Sequence, residues 1–226
     1  MEPFKIDGHV VALSDDTGEG EPLQKLSVTF DGVGQRKHSS RTRLADTDDK
    51  RALRLSGKIV MLNQRQVAVI TSDMRRAIEK KMGVDIAAEI LRINIEVDLD
   101  DPTLEFPAGV PGIAHIPPGS ILRFKSGVIL QAQVPMYPCG DTGQRIVDRN
   151  ADKKELKSAD FNDASHIPRP IPNIEEWYLY SQRGLAFNIL TLSGDESIHE
   201  RVITLGEEVS LETPPDYRIR TKKKPK

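Results

Sequence analysis

Short β-rich stretches alternate along this chain with polar connections punctuated by glycine and proline. "GHVVALS" (Gly8 to Ser14) and "LQKLSVTFDG" (Leu23 to Gly32) predict two strands joined by a polar loop. From Val33 to Ser56 the residues are polar and strongly charged with no sustained apolar period, which predicts a long irregular segment. "GKIVMLNQRQVAVIT" (Gly57 to Thr71) holds two β-branched clusters split by "NQRQ", so either two short strands or one bent strand fits. In "SDMRRAIEKKMG", Ser72 or Asp73 can cap a helix, Met74, Ala77, Ile78 and Met82 share a face, and Lys80 and Lys81 precede the stop at Gly83. "VDIAAEILR" predicts a second short helix, and the alternating "INIEVDL" (Ile93 to Leu99) a strand.

Further along, "GIAHIPPGSILRFKSGVILQAQVPMYPCGDTG" reads as three strands separated by a Pro-Gly turn and a Gly turn, ending in a turn that carries Cys139. Gln144 to Phe161 is charged and helical in part, and "HIPRPIPNIEEW" is extended. "RGLAFNILTLSGDESIHERVITLGEEVSLE" predicts a strand, a turn at Gly194 and Asp195, and a further strand through Val209. Roughly nine strands against two to four short helices give a mainly β chain with inserted helices, most simply a distorted barrel. The expected organisation is one domain over residues 1–213 followed by a basic, disordered tail over 214–226.

Composition narrows the partners. The 226 residues are 38% apolar and 29% charged with a formal charge of -2, so no global field recruits nucleic acid or an anionic membrane. Aromatic residues make up 5%, too few for a base-stacking platform. The opening "MEPFKIDG" is polar and no apolar run approaches the roughly 20 residues of a membrane span. The expectation is a soluble, cytoplasmic protein whose partner is a small molecule. One cysteine in the chain excludes an internal disulfide and any all-cysteine metal site.

Three features carry candidate chemistry. "DRNADKKE" (Asp148, Asn150, Asp152, Glu155) imitates the start of a calcium loop, but Lys153 stands where the sharp turn needs Gly and Ala159 where a bidentate Glu is required. A solvated helix start accounts for it better, as a solubilising tail accounts for "KKKPK". Cys139 is the third. A lone cysteine is usually a small core hydrophobe, yet Pro138, Gly140 and Gly143 place it on a turn after a strand. A reactive thiolate there needs cationic surroundings, for which Arg36, Lys37, His38 and Arg183 are candidates, while Asp141 opposes it. A Cys-His hydrolase could be assembled with His38, His115 or His166 as base and Asn94 or Asp141 as orienting group, and no spacing selects among them.

The ordered series "GHVVALS", "VTFDGVGQRKH", "NQRQVAVITSD", "RINIEV", "IPPGSILRFKSGVILQAQVPMYPC" and "RGLAFNILTLSGDESIHERVITLGEEVSL", from about Gly8 to Leu211, resembles the MOSC domain family, named for the C-terminal part of molybdenum cofactor sulfurase. The points of resemblance are Pro138 and Cys139 after a strand, Arg183 and Gly184 opening a later strand, and the turn residues Gly206 and Glu207. Where the family carries Gly-Asp-Arg-His-His, this chain has Gly34, Gln35, Arg36, Lys37, His38 and Ser39, with one histidine; of the family's Gly-Glu-Asn stretch only Asn94 persists. The resemblance implies a β-barrel in which Cys139 either ligates molybdenum in the molybdopterin cofactor or carries sulfur as a persulfide. Arg36, His38, Arg65 and Arg183 are then expected around the anionic pterin phosphate, with Asn94 orienting a group in the pocket. The implied activity is reduction of N-hydroxylated compounds or sulfur transfer, with a cysteine desulfurase or a redox partner supplying sulfur or electrons. A non-catalytic binding module that kept the barrel and lost the site is the competing expectation.

Overall fold

The computed structural model describes residues 5–15, 22–33, 42–44, 50, 54, 56–63, 65–99, 116–136, 140–150, 183–192 and 200–215. Twelve strands and two helices of any length fall within them: β1 (Lys5–Leu13), β2 (Lys25–Thr29), β3 (Gly32–Val33), β4 (Thr42–Leu44), β5 (Val60–Leu62), β6 (Val67–Thr71), α1 (Ser72–Met82), β7 (Ile95–Leu99), β8 (Ile121–Phe124), β9 (Val128–Pro135), α2 (Gly140–Arg149), β10 (Leu185–Leu192), β11 (Glu200–Thr204) and β12 (Glu208–Glu212). Seven of these strands close a barrel in the order β1-β12-β8-β9-β10-β6-β7; β11-β2-β3 form a smaller sheet and β4-β5 a two-stranded one. The chain is therefore mainly β with short helices inserted, as its patterning predicts. "NQRQ" separates two strands instead of bending one, and β4 lies in the stretch expected to be irregular.

The pairing registers show why the barrel forms. Every barrel neighbour is antiparallel except β6 and β7, which the crossover through α1 makes parallel. Residues directly opposite each other share a face, so Val10 with Val97, Ile6 with Leu211, Leu211 with Leu122, Leu122 with Leu130 and Ile189 with Leu130 line the interior. Phe187, facing Ala132 and Val67, completes the ring. All of these are buried. A barrel of this size is filled by its own side chains, so a ligand has to bind at a rim or on the outer wall.

Strand β6 is buried at all five positions because its outer face is covered too. α1 follows it with no intervening loop; Met74 and Ile78 face inward, and the helix stops at Gly83 in the left-handed region, whose N–H donates to the Glu79 carbonyl. Thr71, in extended conformation, holds the cap position, and its side chain makes no capping bond to the helix N–H groups. The hydroxyl of Ser72 instead donates to Glu96 Oε1 at 2.8 Å. Glu96 points out of the barrel beneath α1, where Arg75 Nε reaches both carboxylate oxygens at 2.9 Å and Arg75 Nη1 reaches Glu79 at 2.6 Å. Burial pulls the Arg75 pKa down, but bonding and attraction to Glu96 and then Glu79 outweigh it, leaving it above the ordinary arginine value.

Two local expectations are corrected. "VDIAAEILR" is not helical: it forms turns closed by Ile90 N–H to the Ala87 carbonyl and Arg92 N–H to the Glu89 carbonyl, and ends with Arg92 at φ 58°. Its buried residues are Val84, Ile86, Ala88, Ile90 and Leu91, more than half of the nine, so burial surrounds the segment and does not mark a single helical face. Conversely, "GDTG" is not a free turn but the first turn of α2. Thr142, Ile146, Val147 and Asn150 are buried at helical spacing, and that packing overrides the turn preference of Gly and Asp.

Candidate functional site

The residues singled out by sequence meet the structure at one end of β9 and β10. Arg183 N–H donates to the Met136 carbonyl and Met136 N–H to the Gly184 carbonyl, each at 2.9 Å, extending the β9–β10 ladder by one step. Gly184 has φ 117°, and a Cβ built on it would lie 2.4 Å from the Val69 carbonyl oxygen, so only glycine lets β10 pass β6 this closely. This is the physical content of the Arg-Gly pair. The half-buried Arg183 side chain turns toward the wall formed by the 84–93 segment, where Nη1 donates to the Leu91 carbonyl at 2.9 Å.

Cys139 itself, with Arg36 and His38, lies outside the described residues, as do Pro138, His115 and His166. The nearest described residues are Met136, three positions before it and fastened to the Arg183–Gly184 pair, and Gly140, the first residue of α2. Position 139 therefore directly precedes a ten-residue helix. The leading N–H groups of a helix have no partner within it and carry partial positive charge, which favours a thiolate or another anion. Sequence reasoning missed this helix start, although Ile146 and Val147 signalled it.

The other expected contacts are placed elsewhere. Arg65 is exposed, and its backbone N–H is bound by Asn63 Oδ1. The adjacent Gln66 joins the Phe30 carbonyl to the Ile189 N–H, so Arg65 sits by Ile189, six residues along β10 from Arg183 and roughly 20 Å away at about 3.3 Å per residue. Asn94 is buried, with Oδ1 accepting the Ala68 N–H at 2.8 Å and its own N–H donating to the Ala68 carbonyl. Its Nδ2 lies 3.4 Å from the Ser14 carbonyl, whose residue donates back from N–H to the Asn94 carbonyl. In this structure Asn94 joins β1 to β6.

Glu207 likewise has a structural task. Gly206 at φ 78° makes the turn, and the buried carboxylate accepts Ser126 N–H at 2.6 Å and Thr204 N–H at 2.9 Å. It thus ties the β8–β9 turn to the β11–β12 turn. An open hollow of about 320 Å³ borders these turns, lined by Lys125, Ser126, Val202 and Thr204 among others. It lies at the other end of β9 from Met136, eight strand residues away. Among the described residues no group of three His, Cys, Asp or Glu side chains could hold a metal, and no helix is long and apolar enough to cross a membrane.

No family model and no curated protein matches the chain. Among solved structures, the YuaD protein from Bacillus subtilis superposes over 94% of this chain and 98% of its own with a TM-score of 0.65 at 18% identity, so the two share a fold. The YiiM proteins from Geobacillus stearothermophilus and Escherichia coli align over 83% and 97% of this chain and 73% and 74% of theirs, at 12% and 10% identity, with TM-scores of 0.39 and 0.43.

Proposed function

We propose that this chain is a MOSC-like barrel in which Cys139 handles sulfur, either as a persulfide or as the protein ligand to molybdenum in the pterin cofactor. The observation that supports the reading is one of chain order: the single cysteine stands directly before the first residue of α2 and three residues after Met136, which the Arg183–Gly184 pair fastens. A helix start and a guanidinium are surroundings that favour a thiolate.

The packed barrel interior leaves no room for a pterin, so the group would lie at the rim beside β9 and β10. Donor chemistry there fits: Arg183 and the leading N–H groups of α2 suit a phosphate, and a soft thiolate suits molybdenum. Arg36 and His38 remain proposed contacts on the strength of the sequence resemblance. Arg65, exposed and beside Ile189, and Asn94, whose amide binds Ala68 and Ser14, stand as contacts on the same resemblance. When bound, the cofactor supplies a two-electron centre for reducing N-hydroxylated substrates. The chain's own share is to ligate through Cys139, bind the phosphate and keep Arg183 charged beside it.

In sulfur transfer, the Cys139 thiolate attacks the outer sulfur of a desulfurase persulfide; the donor thiolate leaves and Cys139 holds the S–SH group. Incubation with a cysteine desulfurase and cysteine, followed by intact-mass measurement, should add one sulfur to wild type and none to Cys139→Ser. Metal and pterin analysis of protein from a molybdenum-competent host tests the cofactor branch. Wild type that gains no sulfur and retrieves neither metal nor pterin, under conditions that load a positive control, rejects the reading.

A further inference from the structure

The smaller sheet ends on an open edge. In the order β11-β2-β3, strand β11 pairs with β2 on one side only. Backbone groups alternate between the two sides of a strand, and two bonds fix the phase here. Leu205 N–H donates to the Gln24 carbonyl, on the β2 side. Thr204 turns both its groups the other way: its N–H donates to Glu207 Oε2, and its carbonyl accepts the Glu207 N–H. Val202 and Glu200 follow the phase of Thr204, so their N–H and C=O groups point off the free edge, where no group of the described residues bonds to them. Val202 is also 40% exposed, opposite Ser27 on the outer face of the sheet. The open hollow of about 320 Å³ adjoins this edge, lined by Val202 and Thr204 of β11 and by Lys125 and Ser126 of the β8–β9 turn. Ser126 Oγ is shielded without a hydrogen-bond partner, a deficit that a further polar group would relieve.

Bare edges of this kind take up an extended chain as an added strand. A second copy of β11 is a poor match. Centred on Val202, it would set the second Glu200 opposite Thr204, whose backbone groups Glu207 has taken. Centred on Arg201, it would oppose two arginines at the closest cross-strand spacing, which is destabilising. The charge beside the edge favours a cation. Glu200 is exposed on it, and Glu207 and Glu208 line the hollow against one ammonium, that of Lys125, itself 3.3 Å from Glu208. Lys25, opposite Thr204, stands one strand further from the edge. We propose that the free edge of β11 binds an extended, lysine-bearing peptide segment of a partner protein as an added strand, antiparallel like the rest of the sheet. An apolar residue of the segment pairs with Val202, and the lysine two residues on lies opposite Glu200. The pairing stops at Thr204, which the Glu207 carboxylate caps. None of this depends on the sulfur-handling reading, since the hollow lies at the other end of β9 from Met136.

The test titrates the full chain with the fluorophore-labelled peptide acetyl-Thr-Val-Thr-Lys-Thr-amide, reading anisotropy and, by NMR, amide hydrogen exchange. In the free protein the Val202 and Glu200 amides should exchange faster than those of Arg201 and Ile203, which bond to β2. Saturating peptide should slow the Val202 and Glu200 amides about tenfold. Val202→Pro deletes an edge donor but no bond to β2, so the fold tolerates it, and affinity for the peptide should fall about tenfold. Glu200→Lys should weaken the lysine peptide about fivefold and be rescued by the same peptide with glutamate in place of lysine; this exchange carries the test if the proline variant does not fold. The proposal is overturned by no binding to wild type at about 1 mM peptide, by Val202 and Glu200 amides already protected in the free protein, or by unchanged binding to folded Val202→Pro. A glutamate peptide that binds wild type as tightly as the lysine peptide overturns it too. Sedimentation of the free protein as a dimer that Val202→Pro dissociates would assign the edge to a second copy and equally overturn it.

Discussion

Replacing Gly184 with alanine tests the tightest backbone contact in the barrel. Two costs combine there. The residue sits at φ 117°, a conformation that costs an L side chain about 1–3 kcal/mol. The new Cβ would also stand 2.4 Å from the Val69 oxygen and 3.1 Å from Ile93 Cδ1. Neither neighbour can give way easily, since Val69 is opposite both Leu185 and Ile95 in the sheet and Ile93 is buried. Separating the strands enough to admit the methyl group weakens one or two ladder bonds, at about 0.5–1.5 kcal/mol each. The sum is about 2–6 kcal/mol, a large part of the stability of an ordinary domain. At roughly 2–4 °C per kcal/mol for a chain of this size, the melting temperature should drop by about 4–24 °C, with about 12 °C at mid-range. Gly206→Ala is the matched control, because Gly206 also has positive φ (78°) but nothing lies within 4 Å of its Cβ position; it should lose only about 1 kcal/mol. Thermal and urea unfolding of the two variants side by side decide the matter. If Gly184→Ala costs no more than Gly206→Ala, the close passage of β10 over β6 is wrong, and with it the account of the Arg-Gly pair.

Other expectations follow from the buried polar groups. Arg75→Ala strands the Glu96 carboxylate, only 5% exposed, and should cost about 3–5 kcal/mol in urea unfolding; an Arg75→Met, Glu96→Leu double variant that loses as much as the single would contradict that. Because the Arg75 pKa is raised, the stability it contributes is fully present below the unfolded-state value and is lost only as pH rises through the still higher folded-state value. Unfolding free energy should therefore show no step from this group between about pH 5 and 10. Glu207→Ala removes the acceptor of two backbone N–H groups and should cost about 2–4 kcal/mol, while Glu207→Gln, which keeps an acceptor, should cost less. Asn94→Ala should speed hydrogen exchange at the Ala68 amide and lower stability by about 1–3 kcal/mol; protection of that amide at the wild-type level would show that Asn94 does not carry it.

How far the sequence reveals this molecule depends on where the stabilising partner lies. The strands were legible because alternation along "INIEVDL" or "VILQAQV" is a local consequence of one face meeting the core. α1 was legible for the same reason at a different period. The turns after Gly83 were not, because Val84, Ile86, Ala88, Ile90 and Leu91 are all buried, and a short apolar run buried this thoroughly cannot be told from a short helix by periodicity. The start of α2 was hidden by Gly140 and Gly143, whose turn preference outweighs two buried aliphatic residues until the surface they pack on is known. At the candidate site, residue type offered Arg183 only as one cation among several and the family resemblance added Gly184, since their geometry rests on Met136 and Val69, 47 and 115 residues away in sequence. Asn94 and Arg65 were suitable donors by type, but type does not reveal that one is occupied by Ala68 and Ser14 or that the other sits six residues along β10. The Arg75–Glu96 pair was missed because a glutamate on the polar phase of a strand reads as solvent-facing until α1 is laid over it.

The position of β12 between β1 and β8 sets a timetable for assembly. Synthesis delivers six of the seven barrel strands before Glu208–Glu212 emerges. Until then they can form only an open sheet, with β1 and β8 presenting bare hydrogen-bonding edges. Such edges recruit foreign strands, and a closure that joins the first strand to the last has a high contact order and is intrinsically slow. The last strand acts as a zip: a nascent chain stalled before residue 208 exposes both edges at once, while a circular permutant that joins the neighbouring ends near Lys5 and Glu212 and opens elsewhere would make the β1–β12 pairing local and shorten the wait.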